Sequence, residues 1–261
     1  MNSLLLSILA ILCADYLLQS EENAATKDSL KLTAFLWHGV KIFGVILFFL
    51  HGYQWLTLIG YATIITGAHL LIDLLVNFLN RIKKRNLTLL VFIVSQVIHI
   101  AAIFVIWSWI DLQANQEVVS FYERIFRVNH LTSFAGVSNS EIKFVPERFL
   151  MGAIVYLYVS FGGSILIDKF LLWLRKREDF SGDKTDHTGK WIGILERIIV
   201  LSLILNDALG SVAFILTAKS IARFRELHNR DFAEYYLIGT LASTMLAIGG
   251  GFILNYLMTI V

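Results

Sequence analysis

The chain holds one cysteine, Cys13, in 261 residues. That excludes an intrachain disulfide framework, a cysteine-rich zinc site and a cysteine-ligated iron–sulfur cluster. Charge of one sign is scarce too. The 22 Lys and Arg against 20 Asp and Glu leave a formal +2, with no basic tail and no block of like charge. The electrostatic footprint of a nucleic-acid binder is therefore missing. No internal repeat is visible. Residues 1–19 contain no Lys or Arg, and Asp15 interrupts their apolar run. They read as a retained first span rather than a cleaved signal peptide. Leu12 before Cys13 is too large for a typical lipoprotein cleavage site.

What is present is apolar length. Hydrophobic residues make up 57% of the chain, above the roughly 45–50% of a soluble domain, and they fall in long runs. Six segments reach the ~20 residues a helix needs to cross a bilayer. They are roughly 2–19, 34–50, 55–79, 87–110, 148–174 and 235–258. The stretch 191–217 reads either as one span or as two short helices broken at Asn206-Asp207 and Gly210. The expected fold is an all-α polytopic transmembrane bundle of about seven membrane helices, one of them readable as a re-entrant pair. The expected division is a four-helix unit at 1–112, an outer loop at 113–147 and C-terminal membrane helices at 148–261.

Loop charge orients the bundle. Arg81, Lys83, Lys84 and Arg85 share one tight loop without an acid, which places that loop in the cytoplasm. Residues 51–54 and 111–147 then face out, and Arg175-Lys176-Arg177 falls inside. A single crossing at 191–217 would leave Lys219, Arg223, Arg225 and Arg230 outside, so a hairpin turning at Asn206-Asp207 is preferred. Such backbone is tolerated where protein buries it. In the outer loop, Val118, Tyr122, Ile125, Phe126 and Asn129 follow a 3.6-residue period within 115–129. This predicts an amphipathic surface helix, either in the membrane interface or packed as a lid. Residues 178–190 read as a polar linker.

Ionisable groups at membrane depth form the main functional signal. Asp15 and Gln19 are four apart in the first span. His38 opens the second. His69 and Asp73 are four apart in the third, and Gln96 and His99 three apart in the fourth. Residues three or four apart share a helix face, so four helices present polar faces at similar depth in the cytoplasmic half. His nitrogens and Asp oxygens suit zinc, manganese or magnesium. His38, His69, Asp73, His99 and Asp15 are the candidate ligands, Asp15 is also a candidate general base, and Gln19 and Gln96 would orient ligands. The competing account is that these groups are hydrogen-bonded glue between helices.

A second set lies further on. Glu196, Lys219, Arg223 and Glu234 form either an ion-pair network, with Lys219 and Arg223 paired to Glu196 and Glu234, or a clamp for an anionic group. His51, His130, His187 and His228 fall in predicted loops and read as solvated.

The segments ADYLLQ (14–19), Lys27, LWHG (36–39), HLLID (69–73) and SQVIH (95–99) resemble a bacterial family of multi-spanning membrane proteins, domain of unknown function 3307. GKWIGILER (189–197), AKSIARF (218–224) and AEYYLIGTLAS (233–243) resemble the C-terminal part of its longer members. The resemblance implies a multi-pass protein of the bacterial inner membrane. A fainter likeness is to membrane-bound metal-dependent hydrolases. Three functions stay open: a metal-dependent hydrolase or transferase acting on a lipid-linked or phosphorylated substrate, a proton-coupled transporter or carrier using the same Asp/His groups, and a non-catalytic membrane scaffold.

Overall fold

The computed structural model describes residues 2–18, 32–82, 87–126, 146–174 and 187–260. Gln19, Lys27, Asn129, His130, the loop cations Lys83, Lys84 and Arg85, and Arg175-Lys176-Arg177 lie outside them. So does most of the expected linker, whose last residues 187–190 instead open a helix.

Among the described residues the fold is helical without a strand; one isolated bridge joins Tyr53 and Ala114. The helices are α1 (Asn2–Tyr16), α2 (Leu32–Phe49), α3 (Trp55–Ile82), α4 (Thr88–Trp109), α5 (Gln116–Phe126), α6 (Glu147–Leu174), α7 (His187–Leu205), α8 (Gly210–Ala222) and α9 (Arg230–Ile260). Within α6, residues Tyr158–Gly162 form a π-helical turn. Four helices are long and apolar enough to cross a membrane: Trp55–Asn80 of α3, α4, α6 and α9. The helices α1 and α8 and residues Phe35–Phe49 of α2 are apolar but shorter. The fold is thus all-helical with four candidate spans, where the sequence led us to expect about seven.

Two compact units result. One comprises Met1–Lys83 and Val91–Ile154; the other comprises Lys84–Leu90 and Val155–Val261. In the first, α1, α2 and α3 pack side by side around Ala10, Ile42, Ile46, Leu58, Tyr61 and Ile65. Chain crossings at one end are tied by backbone hydrogen bonds from Gln54 to Gln113 (3.0 Å) and from Asn115 to Gly52 (2.9 Å). Helix α5 rests there too, with Val119 buried, Val118 and Tyr122 half-buried and Ile125 exposed. His51, expected to be solvated, is bonded to it. The His51 Nδ1–H donates to the Phe48 carbonyl (2.7 Å), leaving Nε2 to accept the Tyr122 hydroxyl (2.8 Å).

In the second unit the broken reading of 191–217 holds. Helix α7 ends in a Schellman motif, with Ala208 N–H on the Leu203 carbonyl (2.8 Å) and Asp207 N–H on the Ile204 carbonyl (3.1 Å). Asp207 takes the left-handed conformation, at φ 55°, where glycine is usual. Helix α8 then turns back along α7, bringing Lys219 against Glu196. Helix α9 packs closely on α7 and the π turn because Gly250 and Gly251 have no side chain. A Cβ there would stand 2.5 Å from Val159 and 2.6 Å from Ile204 respectively.

Candidate metal centre

The site lies in the first unit, built by three packed helices and a fourth beside them. Asp15 occupies the last turn of α1. The frayed carbonyl of Leu18, just past that helix, accepts the Lys41 ammonium of α2 (2.7 Å), as cations commonly do at helix C-termini. This tie holds the end of α1 against the turn of α2 that carries His38. Gly39 follows His38, and a Cβ there would meet Leu70 Cδ1 at 2.9 Å. Its absence lets α2 approach α3 where His69 sits. Tyr16 donates its hydroxyl to Gln96 Oε1 (3.1 Å), linking α1 to α4 one turn from His99.

These ties bring Asp15, His38, His69, Asp73 and His99 together. His38 and His69 are 5% and 3% exposed. His38 Nε2 lies 3.3 Å from Asp15 Oδ1 and 3.6 Å from Asp73 Oδ2. His69 Nε2 lies 3.3 Å from Asp15 Oδ1 and 3.5 Å from Asp73 Oδ2. His99 Nε2 lies 3.7 Å from Asp73 Oδ1. The His69 ring centroid is 5.5 Å from that of His38 and 4.3 Å from that of His99.

The separations bear on both accounts of the cluster. Direct N–H···O bonds run ~2.7–3.2 Å, and every separation here is longer. Two ligands each ~2.1 Å from one zinc-like cation, at a tetrahedral angle, stand ~3.4 Å apart. The buried polar atoms point the same way. His38 Nε2 and His99 Nε2, which face the carboxylates, are buried without a hydrogen-bond partner among the described residues. Orphaned buried groups of this kind are explained by an ion or water. His99 is the clearest. Its Nδ1–H donates to the Ser95 carbonyl (2.8 Å), so in the neutral ring the Nε2 lone pair faces a carboxylate oxygen. Two acceptors face each other there, and a cation between them relieves the conflict. Asp15, His38 and His69 form one group that could hold a metal ion, and His69, Asp73 and His99 another.

Of the two residues expected to orient ligands, Gln19 is outside the described residues. Gln96 takes the Tyr16 hydroxyl and so joins helices. Lys41, Tyr16 and Gly39 were not singled out from sequence. Lys41 sits in an apolar run with no motif around it; only the LWHG segment marked the neighbourhood of Gly39.

The second set divides. Glu196 and Lys219 pair at 2.5 Å, with Lys219 5.6 Å from the centre of the Tyr236 ring. Glu234 does not join them. It accepts from Arg230, one turn earlier on the same helix (3.0 Å). Arg223 reaches Glu226 (3.6 Å) and stacks over Phe232 (6.0 Å). The residue that sequence reasoning passed over is Arg197, 3% exposed. Its Nε–H and Nη2–H both donate to the Ser160 carbonyl in the π turn (3.2 and 2.7 Å), and Nη1–H donates to Ser243 Oγ (2.9 Å).

Residues 3–126 match the model of a family described as "Protein of unknown function (DUF3307)". The match covers all five residues of the Asp/His cluster and stops before the second unit's GKWIGILER, AKSIARF and AEYYLIGTLAS segments. No curated protein matches the chain, and no solved structure does.

Proposed function

We propose that the first unit is a divalent-metal site and that the chain is a metal-dependent hydrolase or transferase of the membrane, acting on a lipid-linked or phosphorylated substrate. The supporting observation is the set of N···O separations from 3.3 to 3.7 Å among the buried His38 and His69, the half-buried His99 and two aspartates. These separations fit ligands gathered around a cation and lie at or beyond the long end of direct hydrogen bonds.

Asp15, His38, His69 and Asp73 would hold the ion, with His99 on the far side of the Asp73 carboxylate. A divalent ion bound there would polarise a phosphoryl or carbonyl oxygen and generate a nucleophile from water at neutral pH. Tyr16, Gln96 and Lys41 keep the ligand-bearing helices in register. On the loop-charge orientation the site lies in the cytoplasmic half of a bacterial inner-membrane protein.

The scaffold reading is served by direct hydrogen bonds beside the cluster, such as Tyr16 to Gln96, but gives no role to the buried ring nitrogens that face the carboxylates without a hydrogen-bond partner. A carrier reading would draw on the helix break at Asn206-Asp207. That break belongs to the other compact unit, which holds none of the five Asp/His groups. The test is metal analysis of the purified full chain, with hydrolysis of lipid phosphates assayed beside it. Metal at the site with activity lost on chelation supports the reading; a chain that takes up no zinc, manganese or magnesium overturns it.

A further inference from the structure

A broad-mouthed depression of about 400 Å³ lies within the first unit, lined by Gln54, Trp55, Ala114, Asn115, Gln116 and Glu117. That volume falls in the ~300–1,000 Å³ range of small-molecule sites. It is remote from the Asp/His cluster. Trp55 precedes His69 by fourteen residues on α3, which is ~21 Å at ~1.5 Å per residue. On the loop-charge orientation this end of α3 faces out.

Two helix starts frame it. The Gln54 carbonyl accepts the Leu58 N–H of α3 (2.9 Å), and the Asn115 carbonyl accepts the Val119 N–H of α5 (3.0 Å). Gln54 and Asn115 therefore stand immediately before their helices. The Gln54–Gln113 and Asn115–Gly52 hydrogen bonds hold the two starts side by side. Backbone bonds thus fix the depression before any ligand arrives, which lowers the cost of binding.

The lining decides what fits. Trp55 is half exposed and offers a large apolar ring. Gln54 and Gln116 are exposed, and each amide both donates and accepts. Asn115 Oδ1 accepts the Glu117 N–H (3.1 Å), which leaves its NH2 to donate. The Glu117 carboxylate only accepts, and no lining residue is cationic. A phosphate would meet the Glu117 charge. An ammonium would meet the N–H ends of two helices, which disfavour cations. A sugar meets neither conflict. Its hydroxyls donate to Glu117 and the amide oxygens and accept from the amide NH2 groups, while the C–H face of a pyranose covers an indole. A role as membrane anchor would account for Trp55 alone, but not for the concave wall of three amides and a carboxylate beside it.

We propose that this depression binds a neutral sugar, free or as the head of a glycolipid. Such a site is independent of the metal centre, which lies at the other end of α3.

The test is saturation-transfer NMR on the full chain in a polyoxyethylene detergent, which carries no sugar of its own. Glucose, galactose, mannose and maltose are the probes, with glucosamine and a glucose phosphate as charged controls. Saturation transfer to the ring C–H protons of a neutral sugar is expected, with the glucose phosphate binding more weakly. Trp55→Ala and Glu117→Ala should each weaken binding about tenfold, equivalent to about 1.4 kcal/mol. Trp109→Ala, which removes another exposed indole, should leave it unchanged. Gln116→Arg fills the depression and decides the matter if Trp55→Ala fails to fold. No transfer to any neutral sugar overturns the proposal, as does transfer that survives both Trp55→Ala and Gln116→Arg. A charged control that binds alone, or more tightly than every neutral sugar, also overturns it. Phosphatidylglycerol vesicles with and without a glucosyl diacylglycerol separate the two sources. Glycolipid that displaces the free sugar places the ligand in the membrane; glycolipid that leaves it bound places the ligand in solution.

Discussion

Asp73 points its Oδ1 at His99 Nε2 across 3.7 Å, while the opposite nitrogen of that ring is committed to the Ser95 carbonyl. In the neutral ring a lone pair then faces a carboxylate, a contact that is unfavourable until a proton or a cation sits in or beside it. Across the same carboxylate, Oδ2 faces His38 and His69. One aspartate thus connects all three histidines, which makes it the most sensitive position in the cluster.

Replacement of Asp73 should accordingly differ in kind from replacement of an interhelical hydrogen-bonding group. Asp73→Asn keeps the shape but supplies a weaker, neutral donor set. It should lower metal affinity by at least the ~10–100-fold typical of changes even to outer partners of a metal site, while the unfolding midpoint of the metal-free chain shifts little. A competition titration with a chromogenic chelator reads the first quantity and thermal unfolding in chelator the second. Equal metal affinity in Asp73→Asn and the parent chain would contradict the assignment.

Metal removal should also change stability, because an ion that binds only the folded chain adds RT ln(1 + [L]/Kd). That is about 2.7 kcal/mol at a concentration one hundred times the dissociation constant. The unfolding temperature should therefore rise with added zinc or manganese in the parent chain and stay flat in His69→Ala. A parallel rise in both would place the effect elsewhere.

In the second unit Arg197 is predicted to be structural. Arg197→Met leaves the Ser160 carbonyl and Ser243 hydroxyl without their donor, and should destabilise the chain by roughly 2–3 kcal/mol. Metal content should not change, since every cluster residue lies in the first unit. Unfolding in denaturant with metal analysis on the same sample checks both parts. Arg197→Lys should recover only part of the loss, since an ammonium cannot reproduce the fork that spans Ser160 and Ser243.

The His51–Tyr122 contact makes a smaller claim. Tyr122→Phe removes the hydroxyl that His51 accepts and should cost about 1 kcal/mol. Hydrogen exchange should quicken in 116–126 before the rest of the first unit. No change in exchange there would show that Val119 burial, rather than the histidine, seats α5.

The cluster was legible because polar residues three or four apart in otherwise apolar helices share a face: Asp15 with Gln19, His69 with Asp73 and Gln96 with His99 carry that spacing openly, and His38 stands alone at a similar depth. The break at Asn206-Asp207 was legible for a similar reason: two polar residues and a nearby glycine interrupt an apolar run. Arg197 was not. Beside Glu196 at the edge of a run it reads as half of a surface pair, and only the folded chain sets it against the Ser160 carbonyl in the π turn. Lys41 and Tyr16 act through a helix end and a side-chain amide, contacts that no periodicity encodes. The His51–Tyr122 bond escaped as well, because Tyr122 was counted for its apolar ring and His51 as a loop residue. Of the expected spans four have the full length among the described residues, while α1, α8 and residues Phe35–Phe49 of α2 are apolar but shorter.

The most direct test of the central claim is elemental analysis of the detergent-purified full chain beside His69→Ala and Asp73→Ala. The account predicts near-stoichiometric zinc or manganese in the parent chain and its loss in both variants, with each variant still folded by circular dichroism. Parent protein that stays metal-free after incubation with both metals would contradict it, and would leave the wide spacing of the five Asp and His residues without a cation to explain it.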